Sequence, residues 1–459
     1  MNRRLKWILA TIAIVIFGLA LYFYIAFLPI MTGMGAKTMC SCVYVMGRDP
    51  ESVKLEEMSV FPGLSTAAFN IDNNDSSVTT TKWGRSSKAI FRKGLGCTLL
   101  AERTEQAIRQ QPIHLAGPPP FSQDTVLWPL GDKRSDSALG NVDYNKVRDA
   151  VDSAFIDVNP SKPVYTHAVV VVYKGQIIGE KYAEGFSAKS RMMGWSMTKS
   201  ITNALIGLLI KDGKLKLEAP APVPEWNNDE RNTITLNDLL HASSGLEWSE
   251  TYFLPGDFHN MFIFSDDKGG YAAGKEVKYA PNTYFEYSSG TANLLSRIVR
   301  QSVGDTEYYR FPYERLFYKT GMFHALLEPD ASGTFVGSSY GYATARDWAR
   351  FGLLFLNDGV VNGERILPEG WVKYSATPAP AAPRQEYGAH WWLNAGEKSN
   401  PENCKYPGLP HDAMVADGFE HQHVVVIPSK ELVIVRLGVT HNGNFSLSKL
   451  VNGVIGALK

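Results

Sequence analysis

The strongest constraint on the fold is an apolar run near the N-terminus. Residues Trp7–Leu28 read WILATIAIVIFGLALYFYIAFL, and no charged residue lies between Lys6 and Lys37. As a helix that rises about 1.5 Å per residue, this run is long enough to cross a hydrocarbon core of about 30 Å. Because the run has no polar face, a place in the core of a soluble domain is disfavoured. We therefore predict a membrane-spanning helix.

Basic residues precede the run and predict its orientation. Arg3, Arg4 and Lys6 place the N-terminus in the cytoplasm, and therefore everything after residue 30 on the extracytoplasmic side, periplasmic or extracellular. A cleaved signal peptide usually has a shorter apolar stretch, and no convincing small-x-small site follows this one promptly. Residues 1–30 are therefore predicted to be an uncleaved anchor through which the protein contacts the membrane.

The cysteines fit an oxidising compartment. The chain contains Cys40, Cys42, Cys97 and Cys404, so one or two disulfides can form on the extracytoplasmic side. Cys40-Ser41-Cys42 lacks the CxxC spacing of redox and zinc sites. We expect its cysteines to staple the N-terminal segment, with Cys97 as a candidate partner, and the sequence leaves the pairing open.

Overall charge argues against nucleic acid as a partner. Lys+Arg and Asp+Glu both number 46, the formal net charge is +0, and no basic stripe with interleaved aromatics occurs. Hydrophobic residues make up 44% and charged residues 20%, which is ordinary for a globular protein. Nucleic acid is therefore not expected as a partner. The oligomeric state is left open.

The 459 residues exceed what a single core usually holds, so appended units are expected. We predict a small β-rich unit at 31–110 with no visible chemistry, a proline-rich linker at 111–140 and the main domain at 141–459. Within the first unit, Cys42–Val45 has strand-like composition and the charged residues 48–60 could form a helix. The main domain is expected to open with a helix over Tyr144–Phe155, and the linker is marked by Pro112, Pro118, Pro119, Pro120 and Pro129.

Two β-hairpins are predicted near the ends of the main domain. The first pairs Ala168–Tyr173 with Gln176–Tyr182, and its four consecutive valines indicate a strand buried on both faces. The second pairs Val424–Ile427 with Leu432–Leu437. Helical patterns fill the chain between the hairpins. We predict a mixed α/β (α+β) fold in which both hairpins share one antiparallel sheet packed by helices.

A candidate nucleophile precedes one of these helices. Ser196-Met197-Thr198-Lys199 leads into an apolar stripe at 201, 204, 205, 208 and 209, with Asn203 on the same face as Ser196 and Lys199. A serine hydroxyl needs a neighbouring base to attack a carbonyl, and a lysine one turn away can supply one. The helix N-terminus would help to hold an oxyanion. The alternative is a capping serine with a solvated lysine.

Several motifs in order resemble the serine β-lactamase and penicillin-binding-protein superfamily. A strand pair precedes Ser-x-x-Lys at the start of a helix, Tyr287-Ser288-Ser289-Gly290 precedes a second helix, and a strand hairpin closes the domain. Within that superfamily the chain looks most like class C β-lactamase-related hydrolases, which include family VIII carboxylesterases and 6-aminohexanoate-dimer hydrolases. The resemblance covers roughly residues 140–459 and implies a sheet flanked by helices plus a mostly helical subdomain.

The resemblance implies roles for three residues and requires no cofactor. Ser196 would be the acylated nucleophile, Lys199 its base partner, and Tyr287 a relay of protons between nucleophile, water and leaving group. A tyrosine with an ordinary pKa near 10 can become a useful base beside an ammonium that stabilises its phenolate. The alternative for Tyr287 is a tyrosine that packs beside a helix start, and Tyr284 is its nearest competitor.

The chain departs from the family pattern at two places. Ser289 stands where β-lactamases have asparagine, which weakens the case for β-lactam binding. On the strand expected beside the site, Phe419-Glu420-His421 stands in place of Lys-Thr-Gly or His-x-Gly. The cation for a substrate carboxylate is thus missing, and His421 puts a side chain where close backbone approach is expected. In this register the backbone N–H groups of Ser196 and Gln422 would form the oxyanion hole.

These departures favour an ester or small linear amide as substrate. The alternatives are a β-lactamase or D,D-peptidase, and a non-catalytic binding protein on the same scaffold.

Two rival motifs are assigned structural roles. Gly337-Ser338-Ser339-Tyr340-Gly341 matches G-x-S-x-G but lacks the strand before and the helix immediately after it, so we predict a glycine-rich loop. His421 and His423 alternate on a predicted strand without a third ligand, so we predict packing rather than a metal site.

Overall fold

The computed structural model describes residues 3–117, 123–135, 137–440 and 445–459. Pro118, Pro119 and Pro120 of the predicted linker lie outside these ranges. The α-helices are α1 (Arg3–Tyr22), α2 (Leu28–Tyr44), α3 (Pro50–Leu55), α4 (Glu105–Arg109), α5 (Tyr144–Ser153), α6 (Thr198–Lys211), α7 (Leu236–Leu240), α8 (Asp257–His259), α9 (Lys268–Ala273), α10 (Ser289–Val303), α11 (Asp305–Tyr308), α12 (Tyr318–Thr320), α13 (Ala345–Leu356), α14 (Trp371–Ser375) and α15 (Leu447–Ile455). The strands are β1 (Ala68–Asp72), β2 (Ser77–Lys82), β3 (Arg85–Arg92), β4 (Gly96–Leu99), β5 (Thr166–Tyr173), β6 (Gln176–Tyr182), β7 (Met192–Met193), β8 (Leu326–Leu327), β9 (Gly341–Ala343), β10 (Val360–Val361), β11 (Glu364–Arg365), β12 (Trp392–Leu393), β13 (Met414–Gly418), β14 (Gln422–Ile427) and β15 (Leu432–Gly438).

The chain forms two compact units. The first comprises Met1–Gln110 together with Ser249–Asp266, and the second comprises Gln111–Trp248 together with Asp267–Lys459. The segment 249–266, which the sequence placed in the main domain, thus belongs to the first unit. Its residues form α8 and a π-helical turn over Asn260–Phe264.

One helix runs through the first unit in two environments. α1 contains no buried residue, whereas most of α2 is buried, and a π-helical turn over Phe23–Phe27 joins them. Small residues let α2 pack closely in this unit: a Cβ on Gly33 would lie 2.7 Å from Ile263, and one on Gly35 would lie 3.0 Å from Thr80. Our prediction of a strand over Cys42–Val45 is therefore wrong, because packing against the sheet favours a helix despite the β-prone composition.

The remainder of the first unit is a meander. Strands β1, β2, β3 and β4 pair in chain order, each antiparallel to the next, so a β-rich element is present as predicted. Cys40 of α2 forms a disulfide with Cys97 of β4. Cys97, the candidate partner in the sequence, thus pairs with Cys40 rather than with Cys42. Cys42 and Cys404 are both buried.

The second unit is built on a six-stranded antiparallel sheet in the order β12-β13-β14-β15-β5-β6. The two predicted hairpins are confirmed, and they meet where Val433 and Ile434 of β15 pair with Val172 and Val171 of β5. β5 lies between β15 and β6, and every residue of it is buried. The predicted mixed fold with one shared antiparallel sheet is therefore correct.

Helices cover both faces of this sheet. On one face, α5 and α15 bury Val151 and Val454 against Val169 and Val171 of β5. On the other face lies α13, whose Gly352 has no room for a side chain because a Cβ would be 2.5 Å from Val433. These layers explain why the strands read as continuous apolar runs rather than alternating ones.

Within the predicted linker, residues 123–135 are tied to α13 and the six-stranded sheet. Arg350 of α13 donates to the carbonyl oxygens of Pro129 at 2.6 Å and Gly131 at 2.7 Å, and it forms an ion pair with Asp132 at 2.7 Å. Trp128 donates its indole N–H to Gly175 at the β5–β6 turn. This segment is therefore a strap fixed on the helices and sheet.

Candidate active site

Ser196 lies on a short 3-10 turn over Trp195–Met197 that leads directly into α6. Gly194 before it must be glycine, because a Cβ there would come within 2.4 Å of the buried Trp348 ring. Trp195 has φ 47°, a left-handed conformation that bulky residues rarely adopt. This bend leaves Ser196 partly exposed at the start of the helix while the next residues are buried.

Lys199 is buried and points at the serine. Only 1% of the Lys199 surface is exposed. Its Nζ donates to Ser196 Oγ, Ser289 Oγ and the Ser338 carbonyl oxygen, each at 3.1 Å. The alternative of a solvated lysine is therefore wrong. A buried ammonium is stable only when its donors are satisfied, and these oxygens match its three N–H groups.

Tyr287 and Ser289 come from the segment before α10. Ser288 caps this helix by accepting from the Thr291 N–H at 3.1 Å, which places Ser289 in the first turn, facing Lys199. Lys199 Nζ lies 4.7 Å from the centroid of the Tyr287 ring. The competing Tyr284 instead is exposed and stacks on Tyr279 at 4.2 Å. The four residues that the sequence singled out for chemistry are thus brought together, and their roles remain predictions.

The glycine-rich loop of the rival motif forms a wall of the same site. Ser338 supplies a carbonyl to Lys199, and the Gly341 N–H donates to Thr198 Oγ1 at 2.9 Å. Ser339 is buried, and it is followed by β9 rather than by a helix, so it lacks the arrangement of a nucleophile elbow. The sequence missed the part that Ser338 plays, because a backbone carbonyl leaves no signal in residue type.

The predicted strand over Phe419–His421 is wrong. These residues form the turn between β13 and β14, and Glu420 and His421 both have φ 63°. β13 ends at Gly418, where a Cβ would lie 2.2 Å from the Gly194 carbonyl oxygen. The close approach of backbone to the Ser196 turn is therefore made by Gly418, three residues earlier than predicted.

His421 and Gln422 accordingly lie outside the position assigned to them. The His421 ring packs 5.7 Å from His423 and 5.8 Å from Phe445, so it does not fill the space of a site glycine. Gln422 pairs with Gly418 across the hairpin. Its side-chain amide is bonded to the backbone of Gly438, accepting the Gly438 N–H at 3.0 Å. The role of the Gln422 backbone N–H in an oxyanion hole stays a prediction.

An aromatic wall adjoins Tyr287 and was not found from the sequence. The Tyr287 ring stacks on Trp392 at 5.2 Å and meets Tyr387 edge-on at 5.9 Å. Lys405 lies with Nζ 3.9 Å from the Trp392 ring centroid, and burial lowers its pKa. Lys405 and Tyr287 thus both contact the Trp392 ring. Lys405 lies on a loop, whereas the family pattern places its cation on the strand beside the site.

Two buried histidines of the second unit, His390 and His423, have strongly lowered pKa values. His390 Nδ1 lies 3.0 Å from the Lys199 carbonyl oxygen, and burial together with the Lys199 charge lowers its pKa to about 3. Burial, with the Arg436 and Lys405 charges, likewise lowers the pKa of His423 to about 3. Both rings are neutral at physiological pH. Within the described ranges no group of three or more His, Cys, Asp or Glu residues could hold a metal ion.

A cavity of about 330 Å³ elsewhere in the second unit has no part in this arrangement. It lies at the β5–β6 turn and is lined by residues that include Trp128, Arg134 and Gln176. None of the predicted site residues contributes to its walls. The candidate catalytic groups therefore lie at the Ser196 turn and not at this cavity.

Comparison with known proteins identifies the family and the fold. Residues 161–448 match the protein family described as Beta-lactamase, a span of more than half the chain that includes every predicted site residue. The 6-aminohexanoate-dimer hydrolase of Paenarthrobacter ureafaciens is 24% identical over 305 residues, which cover 59% of this chain and 72% of that protein.

Solved structures share the fold. A family VIII carboxylesterase has a TM-score of 0.55 at 14% identity, covering 71% of this chain and 99% of its own. A D-stereospecific amidohydrolase from Streptomyces has a TM-score of 0.51 at 16% identity, covering 68% of this chain and 98% of its own. At these identities the likeness concerns the fold alone.

Proposed function

The chain belongs to the beta-lactamase family, and we propose that it is a serine hydrolase that cleaves an ester or a small linear amide through an acyl-enzyme on Ser196. The observation that carries this proposal is the buried Lys199, with Nζ 3.1 Å from both Ser196 Oγ and Ser289 Oγ. A lysine held this way serves no packing purpose that an apolar residue would not serve better. Its position is the one that a base for Ser196 requires.

The first half of the reaction forms the acyl-enzyme. In the reactive form Lys199 has lost one proton to solvent, so its neutral amine accepts the Ser196 Oγ proton as Oγ attacks the substrate carbonyl carbon. The ammonium that results is stabilised by Ser289 Oγ and the Ser338 carbonyl, both at 3.1 Å. The developing oxyanion is held by backbone N–H groups at the start of α6 and at the end of β13. The bond to the leaving group then breaks, and the leaving oxygen or nitrogen takes a proton through Tyr287.

The second half regenerates the serine. A water molecule gives a proton to the same base and attacks the acyl carbon. The bond from the acyl carbon to Ser196 Oγ then breaks, Oγ takes that proton back from the base, and a carboxylic acid is released. The Tyr287 ring, 4.7 Å from Lys199 Nζ, stabilises the ammonium, and we assign the proton transfer to its hydroxyl. One ester or amide and one water thus give one acid and one alcohol or amine.

The preference for an ester or small amide rests on Ser289 and on the end of β13. Ala416-Asp417-Gly418 ends this strand with a carboxylate beside the site, and that carboxylate accepts from Tyr406 at 2.6 Å. Ser289 is shorter than the asparagine of β-lactamases, which disfavours β-lactams. β13 itself carries no cation for a penicillin carboxylate, and the cation near Tyr287, Lys405, contacts Trp392 from a loop instead. The named activities of the relatives, on an amide dimer and on carboxylic esters, fit this preference.

Kinetics of the full chain in detergent test the proposal. We expect turnover of 4-nitrophenyl butyrate by the unmodified chain, loss of it in Ser196→Ala and retention within a few-fold in Ser339→Ala. Loss in Ser339→Ala alone would assign the chemistry to the glycine-rich loop. Rapid hydrolysis of nitrocefin would favour a β-lactamase or D,D-peptidase. Absence of turnover on both substrates would favour a binding protein.

We further propose that α1 anchors the enzyme in a membrane with its second unit on the extracytoplasmic side. α1 has no buried residue, and the apolar window in the helix Arg3–Tyr44 has a mean hydropathy of 2.5. The Cys40–Cys97 disulfide supports this side of the membrane, because such bonds persist in oxidising compartments. A C-terminal alkaline phosphatase fusion should be active in bacterial cells, and an inactive fusion with an active cytoplasmic reporter would reverse the orientation.

A further inference from the structure

An apolar cavity of about 200 Å³ lies within the first unit beside the end of α1. Its lining residues are almost all apolar or aromatic. Tyr252 and His259 are polar, and their own contact, 3.2 Å from His259 Nε2 to the Tyr252 carbonyl oxygen, occupies one nitrogen of the imidazole. The lining comprises Phe23, Phe27, Ile30, Met31, Met34, Phe61, Pro62, Leu64, Tyr252, Phe253, Leu254, Pro255 and His259. Such a cavity suits a hydrocarbon chain rather than a polar ligand.

The cavity begins at the depth of the predicted membrane span. Phe23 and Phe27 belong to the apolar run itself, while Ile30, Met31 and Met34 follow on the next turns of the same continuous helix. A helix rises about 1.5 Å per residue, so this wall extends over several turns away from the hydrocarbon core. A chain that leaves the bilayer beside α1 would therefore meet apolar walls rather than water.

The turn beside the cavity carries residues typical of the membrane interface. Trp83 is 68% exposed and its ring lies 5.8 Å from Phe23. It occupies the β2–β3 turn with φ 46°, a left-handed position that favours glycine or asparagine, so an exposed tryptophan there is not explained by folding. Arg85 lies 4.6 Å from the Tyr24 ring. Tryptophan, tyrosine and basic residues concentrate where hydrocarbon meets headgroups.

The cavity mouth is rimmed by exposed apolar side chains. Phe253 is 59% exposed and Leu254 is 63% exposed. The Phe253 ring lies 5.9 Å from the ring of Phe61, which also lines the cavity. Single exposed apolar residues are common, but adjacent ones at the mouth of an apolar cavity mark a binding surface. Phe253 and Leu254 line the same cavity as Phe23 and Phe27 of the apolar helix. Lipid around that helix would therefore also cover these two side chains.

We propose that this cavity binds an acyl chain of a membrane phospholipid, with Trp83 and Arg85 at the level of the headgroups. The proposal rests on the membrane anchor proposed above and is independent of hydrolysis at Ser196. Lipid bound here would cover Phe253, Leu254 and the apolar lining of the cavity. It would also fix the first unit against the bilayer surface.

The test uses the full chain reconstituted in phosphatidylcholine vesicles that contain a phosphatidylcholine with a photoreactive diazirine on one acyl chain. After irradiation and digestion, mass spectrometry locates the adducts. We expect adducts on peptides from α1 and on peptides that contain Phe61–Leu64 and Tyr252–His259. Val158 is 79% exposed in the second unit and provides a matched apolar surface that should remain unlabelled.

A double variant, Phe253→Ser with Leu254→Ser, sharpens the test. Both positions are exposed, so the fold should survive, while losing two large apolar side chains should lower cavity labelling about tenfold. Labelling of α1 should not change, and Val158→Ser should alter nothing. Labelling of α1 without the cavity peptides would overturn the lipid site and leave the anchor intact. Absence of labelling on α1 as well would overturn both, and hydrolysis at Ser196 would be untouched by either result.

Discussion

Two sides of the Ser196 turn are built in different ways. On one side, Lys199 and Ser289 are buried side chains that make direct hydrogen bonds with each other, and Lys199 also bonds Ser196. On the other side, Gly418 contributes only a backbone that passes close to the Gly194 carbonyl. The first side depends on which chemical groups are present, and the second depends on a side chain being absent. Substitutions on the two sides should therefore fail for different reasons.

Removing the amine should have the largest effect. Lys199→Met keeps an apolar stem in the buried position and removes the base, so kcat/KM for 4-nitrophenyl butyrate should fall about 10²–10⁴-fold. Steady-state kinetics in detergent check this, and a thermal melt verifies the fold. Lys398→Met, at an exposed lysine, is the matched control. A decrease of less than threefold in Lys199→Met would contradict the role of the buried side.

Removing the Tyr287 hydroxyl should have the next largest effect. Tyr287→Phe keeps the ring that stacks on Trp392 and faces Lys199, so only proton transfer is lost. We expect kcat to fall about 10²-fold with KM little changed. Tyr284→Phe should retain full activity because Tyr284 is exposed and stacks on Tyr279. Equal kcat values for the two variants would restrict Tyr287 to packing.

The backbone side is tested by comparing Gly418→Ala with His421→Gly. A Cβ at Gly418 would lie 2.2 Å from the Gly194 carbonyl oxygen, so β13 must move away from Ser196 and activity should fall at least about tenfold. His421 has φ 63°, which glycine adopts without strain, and His421→Gly should keep activity within about threefold. The reverse ranking of the two variants would restore the register that the sequence suggested.

The smallest expected effect concerns stability below neutral pH. The pKa values of His390 and His423 are both about 3, since burial disfavours the charged imidazole, whereas an unfolded histidine titrates near 6.5. Below pH 6.5 the unfolded chain therefore binds protons that the folded chain does not, so stability falls as the pH falls. Between pH 6.5 and 5 each histidine should cost roughly 1–2 kcal/mol.

Urea unfolding of the full chain in detergent at pH 7 and pH 5 measures this loss. His390→Gln should reduce the pH dependence, because glutamine does not titrate. His114→Gln, at a residue in an exposed segment, is the control and should leave the pH dependence unchanged. A stability that is independent of pH over this range would show that the buried imidazoles are not the source.

Much of this site could be predicted because its chemistry lies in short motifs. Ser196 and Lys199 are one helical turn apart, so their meeting follows from local geometry alone. Tyr287 and Ser289 were identified by resemblance, and both lie close to Lys199, while their roles stay predictions. The sheet was predictable because β5 and β15 are buried on both faces and therefore read as apolar runs.

What could not be predicted depends on tertiary position. The sequence analysis expected the glycine beside Ser196 at position 421, whereas Gly418 makes that approach. The end of β13 and the turn that follows it could not be told apart by composition. Ser338 contributes a carbonyl, and Trp392 and Lys405 come from separate segments, so no sequence spacing connects them with Tyr287. Cys42–Val45 is helical because packing around Gly35 outweighs β propensity.

The central claim is that Ser196 becomes acylated, and its most direct test is to locate a covalent adduct. The full chain in detergent is treated with a fluorophosphonate, and peptide mass spectrometry identifies the modified residue. We predict a single adduct on Ser196, absent from Ser196→Ala and unchanged in Ser339→Ala. An adduct on Ser339 that persists in Ser196→Ala, or no adduct in the unmodified chain, would contradict the proposed mechanism.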